Sequence, residues 1–145
     1  MTRVKVLFVC TGNACRSQMA EGWARKLHGD RLEPSSAGTA PASVDPRAIL
    51  VMREVGVDLS GHRSKHVQES MGEDFDLVVT VCDKANERCP VFPGKVKRLH
   101  AGFDDPPHLA AGEIDEEAAL GHYRRVRDEI RAFVETLPGR WACTT

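Results

Sequence analysis

The chain has 145 residues, 20 basic and 21 acidic side chains and a formal net charge of −1. A single domain over 1–145, with a short tail from about residue 138, is the expectation, and so balanced a charge supplies no electrostatic basis for binding nucleic acid or an anionic membrane. Five cysteines, at 10, 15, 82, 89 and 143, do not form a secreted disulfide framework, no stretch is apolar enough to span a bilayer, and the chain enters its first strand without a signal-like segment. A cytoplasmic monomer is expected.

Val4, Val6, Leu7, Phe8 and Val9 suit a buried central strand that ends at Cys10. Gly12 and Asn13 permit the tight and left-handed backbone of a short loop, and Met19, Ala20, Trp23, Ala24 and Leu27 recur at helical spacing over Ser17 to His28. Arg31 to Ser36 reads as a strand, placed at a sheet edge by Pro34, with Ser36 to Thr39 as a loop. Asp45 and Pro46 read as an N-cap and first helical residue, with Ile49, Met52 and Val55 on the buried side and Gly56 as the stop.

Asp58 to Lys65 reads as a loop, followed by a short helix near Val67 to Met71. Phe75 to Val81 is the second strong apolar run and belongs beside the first strand; Lys95 to His100 is a short fourth strand, and GFDDPP at Gly102 to Pro107 a turn-rich loop. Tyr123, Val126, Ile130, Phe133 and Leu137 mark a last helix stopped by Pro138 and Gly139. Alternating strands and helices predict an α/β fold of three layers, a central four-stranded parallel sheet with helices on both faces. Ligands bind at the carboxyl ends of such strands, which brings Cys10 and Cys82 to one edge.

The loop from Cys10 to Ser17 carries the first chemistry. Amides of Thr11, Gly12, Asn13, Ala14, Cys15, Arg16 and Ser17 converging at a helix N-terminus make an oxyanion cradle. The same field stabilises a thiolate, so Cys10 is expected to have a depressed pKa, with Ser17 bonding the thiolate and Arg16 gripping two anion oxygens. Cys82 and Cys89 frame DKANER. A helix there puts them on one face but about 10 Å apart, while a disulfide needs Cα atoms within about 7 Å, so a bridge between them requires unwinding. Two core cysteines or half of a zinc site are the alternatives, although neither CxxC nor HxxxH spacing occurs, and no metal is expected.

CTGNACRS resembles the signature of the low-molecular-weight protein tyrosine phosphatase fold, shared by phosphatases and thioredoxin-coupled arsenate reductases; the continuation CTGNACRSQMAEGW is more similar to the reductases. The resemblance implies that Cys10 attacks arsenate, or binds phosphate or sulfate as mimics, that Cys82 attacks the Cys10 sulfur and releases arsenite, and that Cys89 attacks Cys82. Thioredoxin would reduce the resulting bridge, with no bound cofactor. Asp105, before Pro106, matches the family's general acid, with Asp104 its competitor. Asn13, Glu21 and Ser36 match loop-bracing residues that hold a monovalent cation in some relatives; Lys65 stands where those have an aspartate, so its ammonium is expected near Glu21 in place of potassium, or else exposed in its loop. Cys15 is expected buried or structural, and Cys143 has no matching role. An aryl phosphate phosphatase is one alternative, weakened by Pro107 and His108 where such enzymes carry tyrosines; a non-enzymatic redox sensor or arsenite-binding module is another.

Overall fold

The computed structural model describes residues 3–144, with side chains described as far as Pro138. Its elements are β1 (Val4–Cys10), α1 (Arg16–His28), β2 (Leu32–Gly38), α2 (Pro46–Arg53), β3 (Leu77–Thr80), α3 (Asp83–Arg88), β4 (Lys97–His100), α4 (Pro106–Ala110) and α5 (Glu116–Thr144), with a 3₁₀ turn at Val67–Ser70. Among the described residues, no helix is long and apolar enough to cross a membrane.

All four strands run parallel in the order β2-β1-β3-β4, which puts the Pro34-containing β2 at an edge as its composition requires. Val6 to Val9 are completely buried, and Leu77 to Thr80 nearly so, because both faces of the sheet are covered. α5 packs against α1, α2 and α4, whereas α3 lies against β1 and β3. Trp23 from α1 and Tyr123 from α5 are the largest fully buried side chains, and each satisfies its polar atom: Trp23 Nε1 donates to the Arg127 carbonyl at 3.1 Å, and Tyr123 OH to Asp45 Oδ2 at 2.5 Å.

Four local expectations change. Ser36 to Gly38 is strand, not loop: the ladder runs on until Gly38 stands opposite Cys10, and the Gly38 N–H donates to the Lys65 carbonyl. α2 buries Met52 as expected, but together with Ala48 and Val51, while Ile49 and Val55 pack only half-buried against the core, so its inward face is centred nearer Val51 than expected. GFDDPP leads into a short helix, α4, started by Pro106 at its first position. Finally, Pro138 does not end α5, whose backbone stays helical to Thr144. A proline leaves the carbonyl four residues earlier without its partner. Here that carbonyl, on Val134, is 3.0 Å from His28 Nε2, which takes the place of the missing N–H. Cys143 lies outside the described side chains.

Candidate active site

The loop between β1 and α1 is shaped by what its carbonyls bond to. Thr39, Ala40, Ala42 and Asp45 donate backbone N–H groups to the carbonyls of Cys10, Thr11, Gly12 and Ala14. The Asn13 carbonyl receives Ser64 Oγ at 2.7 Å and Gln18 Nε2 at 3.0 Å. With five successive carbonyls drawn outward, the peptide units present their amides to the inside, and the Asn13 N–H reaches Cys10 Sγ at 3.2 Å. Asn13 itself has φ +48°, the left-handed conformation that its side chain tolerates. Gly38 lies directly beneath: a Cβ there would stand 2.6 Å from the Thr11 carbonyl oxygen, so only glycine lets β2 approach the loop so closely.

α1 begins at Arg16 with no side-chain cap and no acidic residue in its first turn. Its positive end therefore stays available to an anion held in the loop. Behind the loop, one directed chain of hydrogen bonds ends on the candidate nucleophile. The Lys65 N–H donates to Asn13 Oδ1 at 3.0 Å, which orients the amide; Asn13 Nδ2 donates to Ser17 Oγ at 2.8 Å; Ser17 is then left to point its hydroxyl hydrogen at Cys10 Sγ, 2.8 Å away.

Cys10 does not have the depressed pKa expected from the cradle alone. Burial raises it above the ordinary thiol value, and the Ser17 bonds, the Arg16 charge and the Asn13 N–H offset only part of that. The physical reason is that Cys10 is only 2% exposed, so its thiolate gives up nearly all hydration in exchange for these partners. Cys15 is buried as expected and is raised still further, by burial first and then by the Asp45 charge.

Arg16 and Asp105 face each other across the mouth. Arg16 Nη2 stands 3.6 Å from Asp105 Oδ1, and Nη1 donates to the Phe103 carbonyl at 3.0 Å. Asp105 precedes α4 but makes no capping bond, which leaves its carboxyl turned to the site. Asp104 is instead paired with Arg125 at 3.1 Å. A cleft of about 560 Å³ opens here, lined by Thr11, Arg16, Cys82 and Asp105 among others, with His108 on its wall. In the sequence His108 stood out only as standing where the family's phosphatases carry a tyrosine.

Cys82 stands beside the anion loop, its Sγ 3.3 Å from Thr11 Oγ1 and 3.4 Å from the Ala85 N–H that it caps. Cys89 closes the other end of α3 and is also buried, which raises its pKa despite the Arg98 charge. Both sulfurs are thiols, and the segment between them is helical.

The supporting residues are partly as expected. Ser36 Oγ donates to Glu21 Oε1 at 2.7 Å, but the cation on the other carboxylate oxygen is Arg25, at 2.8 Å, rather than Lys65. Arg25 follows Glu21 by one helical turn and reaches it without a loop being ordered, so it takes the place assigned to the Lys65 ammonium. Lys65 lines the same hollow and braces Asn13 through its backbone. Sequence reasoning missed Gln18, His62, Ser64 and Gly38. Gln18, fully buried, accepts from His62 Nδ1 at 2.8 Å while donating to Asn13; burial lowers the His62 pKa, and the neutral ring accepts from Arg25 at 3.1 Å through Nε2. Gln18 shares its helical face with Glu21, Gly22 and Arg25, so hydrophobic periodicity carried no signal for it.

The sequence matches the family described as low molecular weight phosphotyrosine protein phosphatase over residues 5–140. Arsenate reductase 2 of Staphylococcus epidermidis is 44% identical over 140 residues, which is 97% of this chain and 100% of that protein. A solved arsenate reductase in the phosphate binding state superposes with a TM-score of 0.76 at 31% identity, covering 98% of this chain and 99% of the other. A thioredoxin-dependent arsenate reductase of Corynebacterium glutamicum gives a TM-score of 0.70 at 25% identity, covering 99% of this chain and 64% of that longer one. With its anion loop, flanking arginine and parallel sheet in place, the chain belongs to the low molecular weight phosphotyrosine protein phosphatase family.

Proposed function

We propose that this protein reduces arsenate to arsenite with Cys10, Cys82 and Cys89 acting in turn, and that thioredoxin restores the thiols. The observation that carries the reading is Cys82 Sγ at 3.3 Å from Thr11 Oγ1, a second thiol set against the anion loop, for which ester hydrolysis has no use. The similarity to arsenate reductases over the whole chain and to a thioredoxin-dependent one supports it.

In this scheme arsenate sits in the cradle, its oxygens on the loop amides and the Arg16 fork. The Cys10 thiolate forms a sulfur–arsenic bond while one arsenic–oxygen bond breaks, and Asp105 supplies a proton so that the oxygen departs as water. Cys82 then attacks Cys10 sulfur: a disulfide forms, the sulfur–arsenic bond breaks, and its electron pair stays on arsenic, which leaves as arsenite. Cys89 attacks Cys82, the new bridge replaces the old, and the Cys10 thiolate is released. Thioredoxin finally takes up the Cys82–Cys89 bridge by thiol–disulfide exchange and delivers two electrons. Cys10, Arg16 and Asp105 also suit slow cleavage of aryl phosphates, since phosphate and arsenate share shape and charge.

The test supplies arsenate, thioredoxin, thioredoxin reductase and NADPH to the wild type and to Cys82→Ser and Cys89→Ser. Both substitutions abolish repeated arsenite production while small-ester hydrolysis at Cys10 survives. Equal arsenite production by all three proteins overturns the relay.

A further inference from the structure

α3 is only six residues long, too short to be stable by itself, yet the relay requires it both to exist and to come undone. Its ends are held by two side chains of the edge strand β4. Arg98 and His100 are two residues apart and so leave β4 on the same face. Arg98 donates through Nη2 to the Asn86 carbonyl at 2.6 Å and through Nη1 to the Cys89 carbonyl at 3.5 Å, on the carbonyl end of the helix, where a cation is favoured. His100 Nε2 meets Asp83 Oδ1 at 2.9 Å on the first residue of the helix, and its Nδ1 lies 2.8 Å from the buried Thr80 hydroxyl, which steadies the ring. Gly102 leaves the room, since a Cβ there would come within 3.2 Å of Asp83 Oδ1.

We propose that Arg98 and His100 form a clasp that keeps α3 helical in the dithiol state and so sets the reduction potential of the Cys82–Cys89 couple. The inference rests on the relay reading above. When the Cys89 thiolate attacks Cys82, the Cys82–Cys89 bond forms, the Cys10–Cys82 bond breaks and the electron pair leaves on Cys10. To get there Cys89 must close a gap that the helix holds open, and its carbonyl must leave Arg98. Both clasp contacts favour the reduced form alone, so they make the bridge easier for thioredoxin to reduce. Arg98 and His100 are thus positioning residues: neither touches the reacting sulfurs.

The experiment equilibrates full-length wild type, Arg98→Ala, His100→Ala and Arg98→Lys in thiol–disulfide redox buffers at pH 7. Differential alkylation and peptide mapping then give the fraction of Cys82 joined to Cys89. Because Arg98 also counteracts the rise that burial imposes on the Cys89 thiol, a rate would mix two effects, whereas the equilibrium potential isolates one. Each alanine variant shifts the couple about tenfold toward the disulfide, a potential about 30 mV more negative, and Arg98→Lys falls between, since an ammonium cannot span both carbonyls. Potentials equal to wild type, or shifted the other way, overturn the clasp and leave the relay standing. A wild type that forms no Cys82–Cys89 bridge in any buffer overturns both.

Discussion

Ser17→Ala tests how the buried Cys10 becomes a nucleophile. Ser17 Oγ receives a hydrogen bond from Asn13 Nδ2 at 2.8 Å and is therefore free to donate to Cys10 Sγ at the same distance. Of the influences that favour the thiolate, this bond is the largest. A hydrogen bond to a charged group contributes about 1.5–3 kcal/mol, so alanine raises the Cys10 pKa further. At neutral pH the thiolate fraction, and with it the alkylation rate, falls roughly 10- to 100-fold. The assay is the pH profile of Cys10 alkylation, read peptide by peptide so that the other cysteines do not contribute. Loss of folding would move the profile the opposite way, toward the ordinary thiol value of 9.0, which makes the two outcomes separable. Coincident profiles for wild type and variant would refute the assignment of Ser17 as the main thiolate partner.

Three further expectations concern the surroundings of the loop. Asp105→Asn lowers kcat for arsenate by about 10²- to 10⁴-fold, the usual worth of a general acid, while Asp104→Asn, whose carboxylate is paired with Arg125, stays near wild type; comparable losses in both would exclude Asp105 as the specific donor. Because burial raises both Cys10 and Cys15, the folded state keeps protons that the unfolded chain releases above pH 9.0, so stability is full below that value and declines above it, by about 1.4 kcal/mol per pH unit for each thiol; urea unfolding across this range has a shallower decline in Cys15→Ala, and an unchanged slope would contradict the assignment. Exchanging sodium for potassium at constant ionic strength leaves turnover unchanged, because Arg25 already neutralises Glu21; a strong rise with potassium would show that the hollow lined by Glu21 and Lys65 takes a cation.

What could be read from the sequence is what local chemistry dictates. An unbroken apolar run, a glycine, an asparagine and then a helical period specify strand, loop and helix between Val4 and His28, and Asn13 takes the left-handed backbone that its residue type permits. Asp45 caps α2, and Pro46 starts it, as their side chains require. The residues that shape the loop from outside were not legible, because their partners are distant in sequence: Ser64 bonds Asn13 from 51 positions away, and Gly38 matters for the atoms a Cβ would strike, not for any periodic pattern. Pro138 misled for the same reason, since the His28 ring that satisfies the Val134 carbonyl comes from 106 positions away. The Cys10 pKa differed because the positive field is visible in residue types and the depth of burial is not.

The account depends on Cys82 taking the sulfur of Cys10 away from arsenic. Mixing reduced Cys89→Ser with arsenate, without thioredoxin, and analysing the quenched protein tests this most directly. One arsenite per protein together with a Cys10–Cys82 disulfide, mapped by mass spectrometry, is the predicted result. Arsenite released without that bridge, or an intact Cys82 thiol after turnover, would contradict it.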